Sequence, residues 1–249
     1  MRYGSANSRA PPPSGLFDLY AAGMPDNPVD LLDLVHADGE RYLRTYFSTF
    51  TGRWFETLAG GGDRDDVRNR ITADDLIAVQ MLDVKVPPTA CRDLLEGAAG
   101  TTIGEFLAEI PTNVEMGTPE AKALVQPEGV ASQAWKLLDD QAGIDYVIAG
   151  KIMARKRPKL LPVYDSWLYC LFGYPQPPVW PRYQKHLAHD GGALRATLAD
   201  ARAAADVTAQ TSSLRALDVV LWMRHRELSP RCSKTKTCPA WDSVVLALP

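Results

Sequence analysis

Residues 134–171 read AWKLLDDQAGIDYVIAGKIMARKRPKLLPVYDSWLYCL. Their pattern predicts a helix over residues 129–141 that ends at Gly143, since glycine favours the position just beyond a helix. A second helix is predicted over residues 146–154 and a third over residues 166–171. The loop between these two contains Pro158 and Pro162, which cannot continue a helix ladder. This part of the chain is therefore predicted to be a helical hairpin followed by a basic loop and a further helix.

Helical signals continue on both sides of this stretch. Apolar residues between Pro28 and Gly60 recur at helical spacing, with breaks expected near Gly39 and Gly52. Thr72 is expected to cap a short helix, and residues 84–86 are the expected place for a short extended piece. Further helices are predicted over residues 90–99, 102–110, 191–205 and 212–227. The predicted fold class is all-α, with at most one short strand pair, which excludes Rossmann and P-loop chemistry.

Composition indicates an ordinary globular chain of 249 residues, 46% hydrophobic and 23% charged. We expect a single helical domain over residues 28–228, with a hairpin lobe at about 129–171. Residues 1–27 are expected to be a disordered or loosely attached tail, and residues 229–249 an irregular, loosely attached segment. Apolar runs are far shorter than the roughly 20 residues that a membrane span requires. The four cysteines are scattered, which suits a reducing compartment and favours a cytoplasmic location.

Charge is distributed unevenly along the chain. Residues 1–150 hold 12 Lys and Arg against 23 Asp and Glu, a net charge of −11. Residues 151–249 hold 15 against 7, a net charge of +8. The split favours the C-terminal part as the location of an anion-binding face, although uneven distribution over a solvated surface explains it equally well.

Residues 134–171 resemble the helix-hairpin-helix DNA glycosylases. Members of that superfamily have a Gly-hydrophobic-Gly hairpin and a small alanine in the second helix, followed by a segment with the catalytic aspartate. The matching residues here are Gly143-Ile144-Asp145, Ala149 and Asp165 in Pro-Val-Tyr-Asp, and the separation of 16 residues between Ala149 and Asp165 fits the pattern. The resemblance implies a compact helical fold, a phosphate held by the hairpin amides, and an aspartate that faces an extruded nucleotide.

Three departures from that pattern limit what the resemblance implies. Asp145 replaces the second hairpin glycine and would place a carboxylate near the phosphate. Val147 stands where bifunctional members have a Schiff-base lysine, so any activity would be monofunctional. Cluster-bearing members end with four cysteines, whereas this chain has Cys232 and Cys238, so no iron–sulfur cluster is expected. The histidines show no metal-ligand spacing with the cysteines, and Cys232 with Cys238 lacks the partners that zinc would need, so no metal or other cofactor is expected.

Each candidate site residue has a structural alternative. Asp165 is a candidate catalytic carboxylate, or an ordinary N-cap of the following helix. The cations of residues 151–159 are either a phosphate clamp or a solvated loop paired with the acidic half of the chain. Trp54, Tyr164 and Trp167 are candidates for a base pocket, or core residues. The candidate nucleic-acid-binding residues are Gly143, Ile144, Asp145, Lys151, Arg155, Lys156, Arg157 and Lys159.

A longer resemblance spans about residues 46–226 and includes FTGRWFE at 50–56, TADDLIAV at 72–79, ARKRPKLLPVYDS at 154–166 and LRALDVVLWMR at 214–224. These segments are similar to a family of uncharacterised proteins known only as a domain of unknown function, which implies no activity. The leading hypothesis is a DNA-binding, glycosylase-like protein that releases a base by hydrolysis. The alternatives are a non-catalytic nucleic-acid-binding module and a structural or interaction protein.

Overall fold

The fold is all-α, as predicted. The computed structural model describes residues 29–173, 179–208 and 210–245, so the predicted tail and most of the proline-rich stretch 175–181 lie outside the described residues. The helices of the described residues are α1 Leu31–Thr49, α2 Ala73–Gln80, α3 Pro88–Glu96, α4 Ala98–Ala108, α5 Pro119–Leu124, α6 Val130–Asp139, α7 Tyr146–Lys156, α8 Ser166–Phe172, α9 Trp180–Ala188, α10 Ala193–Ala204 and α11 Ser213–Leu228. Short 3₁₀ turns cover Thr51–Trp54, Leu58–Gly60 and His189–Gly192.

Helix α1 passes through Gly39 without the predicted break. Gly39 is buried, and a β-carbon there would lie 3.2 Å from the β-carbon of Ala201. The glycine therefore permits close packing of α1 on α10. The predicted break near Gly52 is confirmed, since α1 ends at Thr49 and a 3₁₀ turn follows.

The described helices form two packed groups, and helix α7 belongs to the first of them. It packs against α2 and α6, and α6 in turn packs on α4. Helix α11 packs against α1, α8 and α10 in the other group. One contiguous core of buried apolar residues runs through both groups, including Leu43, Ile103, Ile152 and Leu217.

The C-terminal segment is not loosely attached, as far as Val245, where the described residues end. Strand β2, Val244–Val245, pairs in parallel with strand β1, Val29–Asp30. Cys238, Ala240 and Val244 are buried in the core. Residues 84–86 form no strand, so the short strand pair lies elsewhere than predicted. None of the described helices has the length and apolar character required to cross a bilayer.

Candidate functional site

A cavity of about 690 Å³ opens where α1, α7, α8 and α11 meet. Its lining combines aromatic rings, four carboxylates and four cations. The aromatic residues are Tyr46, Phe50, Trp167 and Trp222, the acids are Asp83, Asp145, Asp165 and Asp218, and the cations are Lys151, Arg215, Arg226 and Lys234. A more open groove of about 830 Å³ lies between residues 64–74 and the helices α3 and α4, and it contains none of the predicted site residues. The smaller cavity is therefore the candidate site.

Asp165 lies at the edge of this cavity as the N-cap of α8. Its Oδ1 accepts hydrogen bonds from the backbone amides of Trp167 at 2.9 Å and Leu168 at 3.3 Å. Its Oδ2 accepts no hydrogen bond from any residue that the structure describes. The two interpretations of Asp165 are therefore compatible, because one oxygen caps the helix and the other remains open to a ligand.

A second carboxylate, Asp218, projects from α11 at the same cavity. It is buried, and its Oδ2 accepts a hydrogen bond from the guanidinium of Arg215. Burial, opposed by the Arg215 guanidinium and reinforced by the charge of Asp165, raises the pKa of Asp218 to about 7. Asp218 therefore exchanges its proton near neutral pH, as a general acid requires.

Two buried cations complete the charged part of the cavity. Arg215 donates to the hydroxyl of Tyr46 at 2.6 Å and to the carbonyl of Gly52 at 3.1 Å. A β-carbon at Gly52 would lie 1.9 Å from the Tyr46 hydroxyl, so this contact requires glycine. Lys151 donates to the carbonyl of Leu82 at 2.8 Å, and burial lowers its pKa.

Aromatic rings form one continuous wall of the cavity. Tyr46 stacks on Phe50 with ring centroids 5.3 Å apart, and Phe50 meets Trp222 edge to face at 5.1 Å. Trp222 lies 5.4 Å from Trp167. Such a wall suits a planar ligand, since bases stack on aromatic side chains with little sequence preference.

The prediction of an exposed phosphate clamp is wrong for four of its five cations. Lys151, Arg155, Lys156 and Arg157 are each at most 3% exposed. Arg155 and Lys156 pair with the buried Asp75 at 3.2 and 3.0 Å. Arg157 donates to backbone carbonyls, including Ile110 at 2.6 Å and Arg68 at 2.7 Å. Their partners satisfy them inside the protein, which leaves Lys159 as the exposed member of the set.

The hairpin also differs from the predicted phosphate site. Gly143 has a φ of +82°, as the predicted turn requires, and Ile144 is buried. Asp145 caps α7, and its Oδ1 accepts from the amides of Val147 at 3.1 Å and Ile148 at 2.9 Å. These are the amides that would bind a phosphate, so the chain's own carboxylate occupies that position.

One of the three predicted base-pocket residues lines the cavity, namely Trp167. Trp54 is 44% exposed away from the cavity lining and stacks against the guanidinium of Arg53 at 4.2 Å. Tyr164 is buried in the core. The residues that sequence reasoning missed are on α1 and α11, far from the hairpin in sequence.

Cations that are exposed at the cavity come from the end of α11 and the segment after it. Arg226 and Lys234 line the cavity and are exposed. Residues 224–236 hold five Lys and Arg against one Glu, a net charge of +4. The basic surface beside the candidate site is therefore C-terminal, as the charge split favoured, but it does not come from residues 151–159.

Four potential metal ligands converge beside the cavity. The ligand atoms of Cys170, His225, Cys232 and Cys238 all lie within 4.8 Å of one another. The prediction that Cys232 and Cys238 lack metal-binding partners is therefore wrong. No sequence motif shows this group, because Cys170 lies on α8, 55 residues before His225 on α11.

Comparison with known proteins identifies a family without a known activity. No curated protein and no solved structure matches the chain. The likeness to DNA glycosylases therefore remains a resemblance of residues 134–171. The model of a family of unknown function (DUF6308) matches residues 39–225, which are 187 of the 249 residues. The chain belongs to this family.

Proposed function

We propose that the chain is a monofunctional N-glycosyl hydrolase that releases a base from nucleic acid in the cavity lined by Asp165. The observation that carries the proposal concerns Asp165, whose Oδ1 accepts from two amides while its Oδ2, beside an aromatic wall, accepts from no residue in the described part of the chain. A carboxylate fixed in this way needs no reorganisation to stabilise a cationic sugar.

The reaction assigns separate roles to the two carboxyl groups. As the bond between C1′ and the base nitrogen breaks, the base leaves with the electron pair and takes a proton from Asp218. The negative charge of Asp165 stabilises the oxocarbenium-like sugar. A water molecule then forms the new bond to C1′ and gives its proton to Asp165. Two carboxyl groups in one cavity, one with a pKa raised to about 7, suit this division of roles.

Substrate contacts follow from the remaining cavity residues. The aromatic wall provides a stacking surface for the extruded base. Arg226 and Lys234 are exposed at the cavity and would contact the phosphates on either side of the base. The hairpin amides take no part, because Asp145 occupies them.

The test compares two N-cap variants on single strands and duplexes that contain alkylated, deaminated or oxidised bases. Asp165→Asn keeps most of the capping ability and removes the charge, so base release should fall at least about 100-fold while substrate affinity is kept. Asp30→Asn is the matched control, because Asp30 caps α1 through Leu32 and does not line the cavity. Free base is quantified by chromatography, and abasic strands are revealed by alkali.

Two outcomes would sink the proposal: no base release by the wild type from any substrate, or equal release by the wild type and Asp165→Asn. Binding without release would favour the non-catalytic module, for which Asp165 is only a cap. Strand cleavage without alkali would contradict the monofunctional mechanism and implicate the amine of Lys151, one helical turn after Val147 on α7.

A further inference from the structure

Cys170, His225, Cys232 and Cys238 come from three separate parts of the fold. Cys170 lies on α8, His225 in the last turn of α11, and the two other cysteines in the irregular segment after α11. Three of the chain's four cysteines and one of its four histidines therefore meet at one point. A disulfide joins only two sulfurs, and all four cysteines are free thiols, so disulfide formation does not explain this cluster. A shared metal ion does explain it.

The separations within this cluster fit a single small ion. Zinc bound tetrahedrally at about 2.3 Å from sulfur and about 2.0 Å from nitrogen places its ligand atoms about 3.5–3.8 Å apart. Sγ of Cys238 lies 3.8 Å from Nε2 of His225, and all four ligand atoms lie within 4.8 Å of one another. A metal ion would fit among them with small side-chain movements.

His225 adds an independent observation. Its side chain is fully buried, and its Nδ1 has no hydrogen-bond partner among the described residues. Its Nε2 faces the thiol of Cys238, with the nitrogen and the sulfur 3.8 Å apart. Neutral imidazole is a common metal ligand, and Nε2 is the ring nitrogen that faces the three sulfurs.

Backbone hydrogen bonds hold Cys232 and Cys238 in place and include one amide that donates to a sulfur, as is favourable for a thiolate ligand. The amide of Lys234 donates to Sγ of Cys232 at 3.3 Å. The amide of Cys238 donates to the carbonyl of Thr235 at 2.9 Å, which closes a tight turn between the two cysteines. The amide of Asp242 donates to the carbonyl of Cys170 at 2.9 Å and fixes the segment against α8.

We infer that Cys170, His225, Cys232 and Cys238 bind one Zn²⁺ ion as a closed, tetrahedral structural site. Four protein ligands leave no open position for substrate, so the ion holds structure and does not act on a substrate. It joins the segment after α11 to α8 and α11. Cys232 also lines the cavity, and the ring of Trp167, another lining residue, contacts His225 at 4.6 Å. The zinc site therefore supports one wall of the cavity.

Metal content and cobalt spectroscopy on the full chain test this inference. Protein from zinc-supplemented cultures is dialysed against a weak chelator, and its metals are measured by mass spectrometry. The wild type should hold one zinc per chain. Cys232→Ser removes the half-buried ligand and should lower the zinc content at least tenfold. Cys91→Ser is the control, since Cys91 is a half-buried cysteine on α3 outside the cluster, and should keep one zinc.

Replacement of zinc by Co²⁺ reports the ligand geometry directly. The wild type should show the intense visible d–d bands of tetrahedral cobalt together with sulfur-to-cobalt charge transfer, and Cys232→Ser should lose intensity in both. Circular dichroism checks that Cys232→Ser keeps its helices. Wild-type protein without zinc and without cobalt bands would overturn the inference, as would unchanged zinc in Cys232→Ser or the presence of iron in place of zinc.

Discussion

Asp165 and Asp145 are two N-caps with the same local chemistry and different surroundings. Each accepts hydrogen bonds from two backbone amides of the helix that it begins. Asp145 occupies the position of the predicted phosphate, whereas Asp165 faces the aromatic wall and Asp218. Asp145 therefore excludes the predicted phosphate site in the hairpin, whereas Asp165 remains a candidate catalytic carboxylate.

The raised pKa of Asp218 predicts a pH dependence of stability at the residue scale. Between its ordinary value of 3.8 and about 7, folded Asp218 keeps its proton while the unfolded chain has released it. The free energy of unfolding should therefore fall as the pH rises through this window. Asp218→Asn has no proton to lose, so the wild type should lose stability relative to this variant between pH 4 and 8, by an amount on the order of a few kcal/mol.

Urea denaturation at a series of pH values measures this difference in stability. The charged groups that face Asp218 are Arg215, Asp165 and Lys151. Asp200→Asn on the exposed face of α10 is the control and should follow the wild-type pH dependence. Parallel curves for the wild type and Asp218→Asn would contradict the raised pKa.

At the scale of elements, the contact between α2 and α7 depends on buried ion pairs. Asp75 on α2 pairs with both Arg155 and Lys156 of α7, and the three side chains are at most 1% exposed. Asp75 also completes the capping box of α2 with Thr72. The segments TADDLIAV and ARKRPKLLPVYDS of the family resemblance are therefore neighbours in the fold.

Asp75→Asn should lower the free energy of unfolding by about 3–5 kcal/mol, because it leaves two cations buried without a counter-charge. Asp74→Asn, in the same first turn, is the matched control. The side chain of Asp74 is 48% exposed and lies 4.0 Å from Arg64, so its loss should cost less than about 1 kcal/mol. Urea denaturation at neutral pH measures both variants. Equal destabilisation by the two would show that the buried pairs contribute nothing specific.

At the scale of the whole molecule, the structure shows which cations of the basic C-terminal part are exposed. Many of the cations of residues 151–159 are internal, whereas Arg226 and Lys234 are exposed beside the candidate site. A nucleic acid would therefore approach the end of α11 and the segment that the proposed zinc ion holds.

Nucleic-acid affinity should fall as the salt concentration rises, with a slope that depends on the number of phosphate contacts. Arg226→Ala combined with Lys234→Ala should weaken binding and reduce the magnitude of the log–log slope by roughly 2. Lys122→Ala combined with Lys185→Ala removes the same charge from exposed positions on α5 and α9 and should have a smaller effect. Fluorescence anisotropy from low to moderate salt measures both pairs. Identical losses for the two pairs would mean that net charge alone governs binding.

Local patterns alone predicted most of the helices, though not α5 or α9, together with several caps and the position of Asp165 at the start of α8. Thr72 caps α2, Gly143 adopts the left-handed turn, and α8 begins at Ser166, as expected. These features depend on hydrogen bonds and dihedral angles within a few residues, so they are present in the sequence itself. Membership of an uncharacterised family was also recognisable from sequence segments.

Only the tertiary structure decided which charges are buried and which side chains meet. A run of cations such as residues 151–157 is expected to be exposed. The packing of α7 on α2 instead places Asp75 and backbone carbonyls around these cations. The cysteine and histidine cluster depends on α8, α11 and the C-terminal segment coming together. Such contacts are set by the packing of distant elements, and no spacing along the chain encodes them.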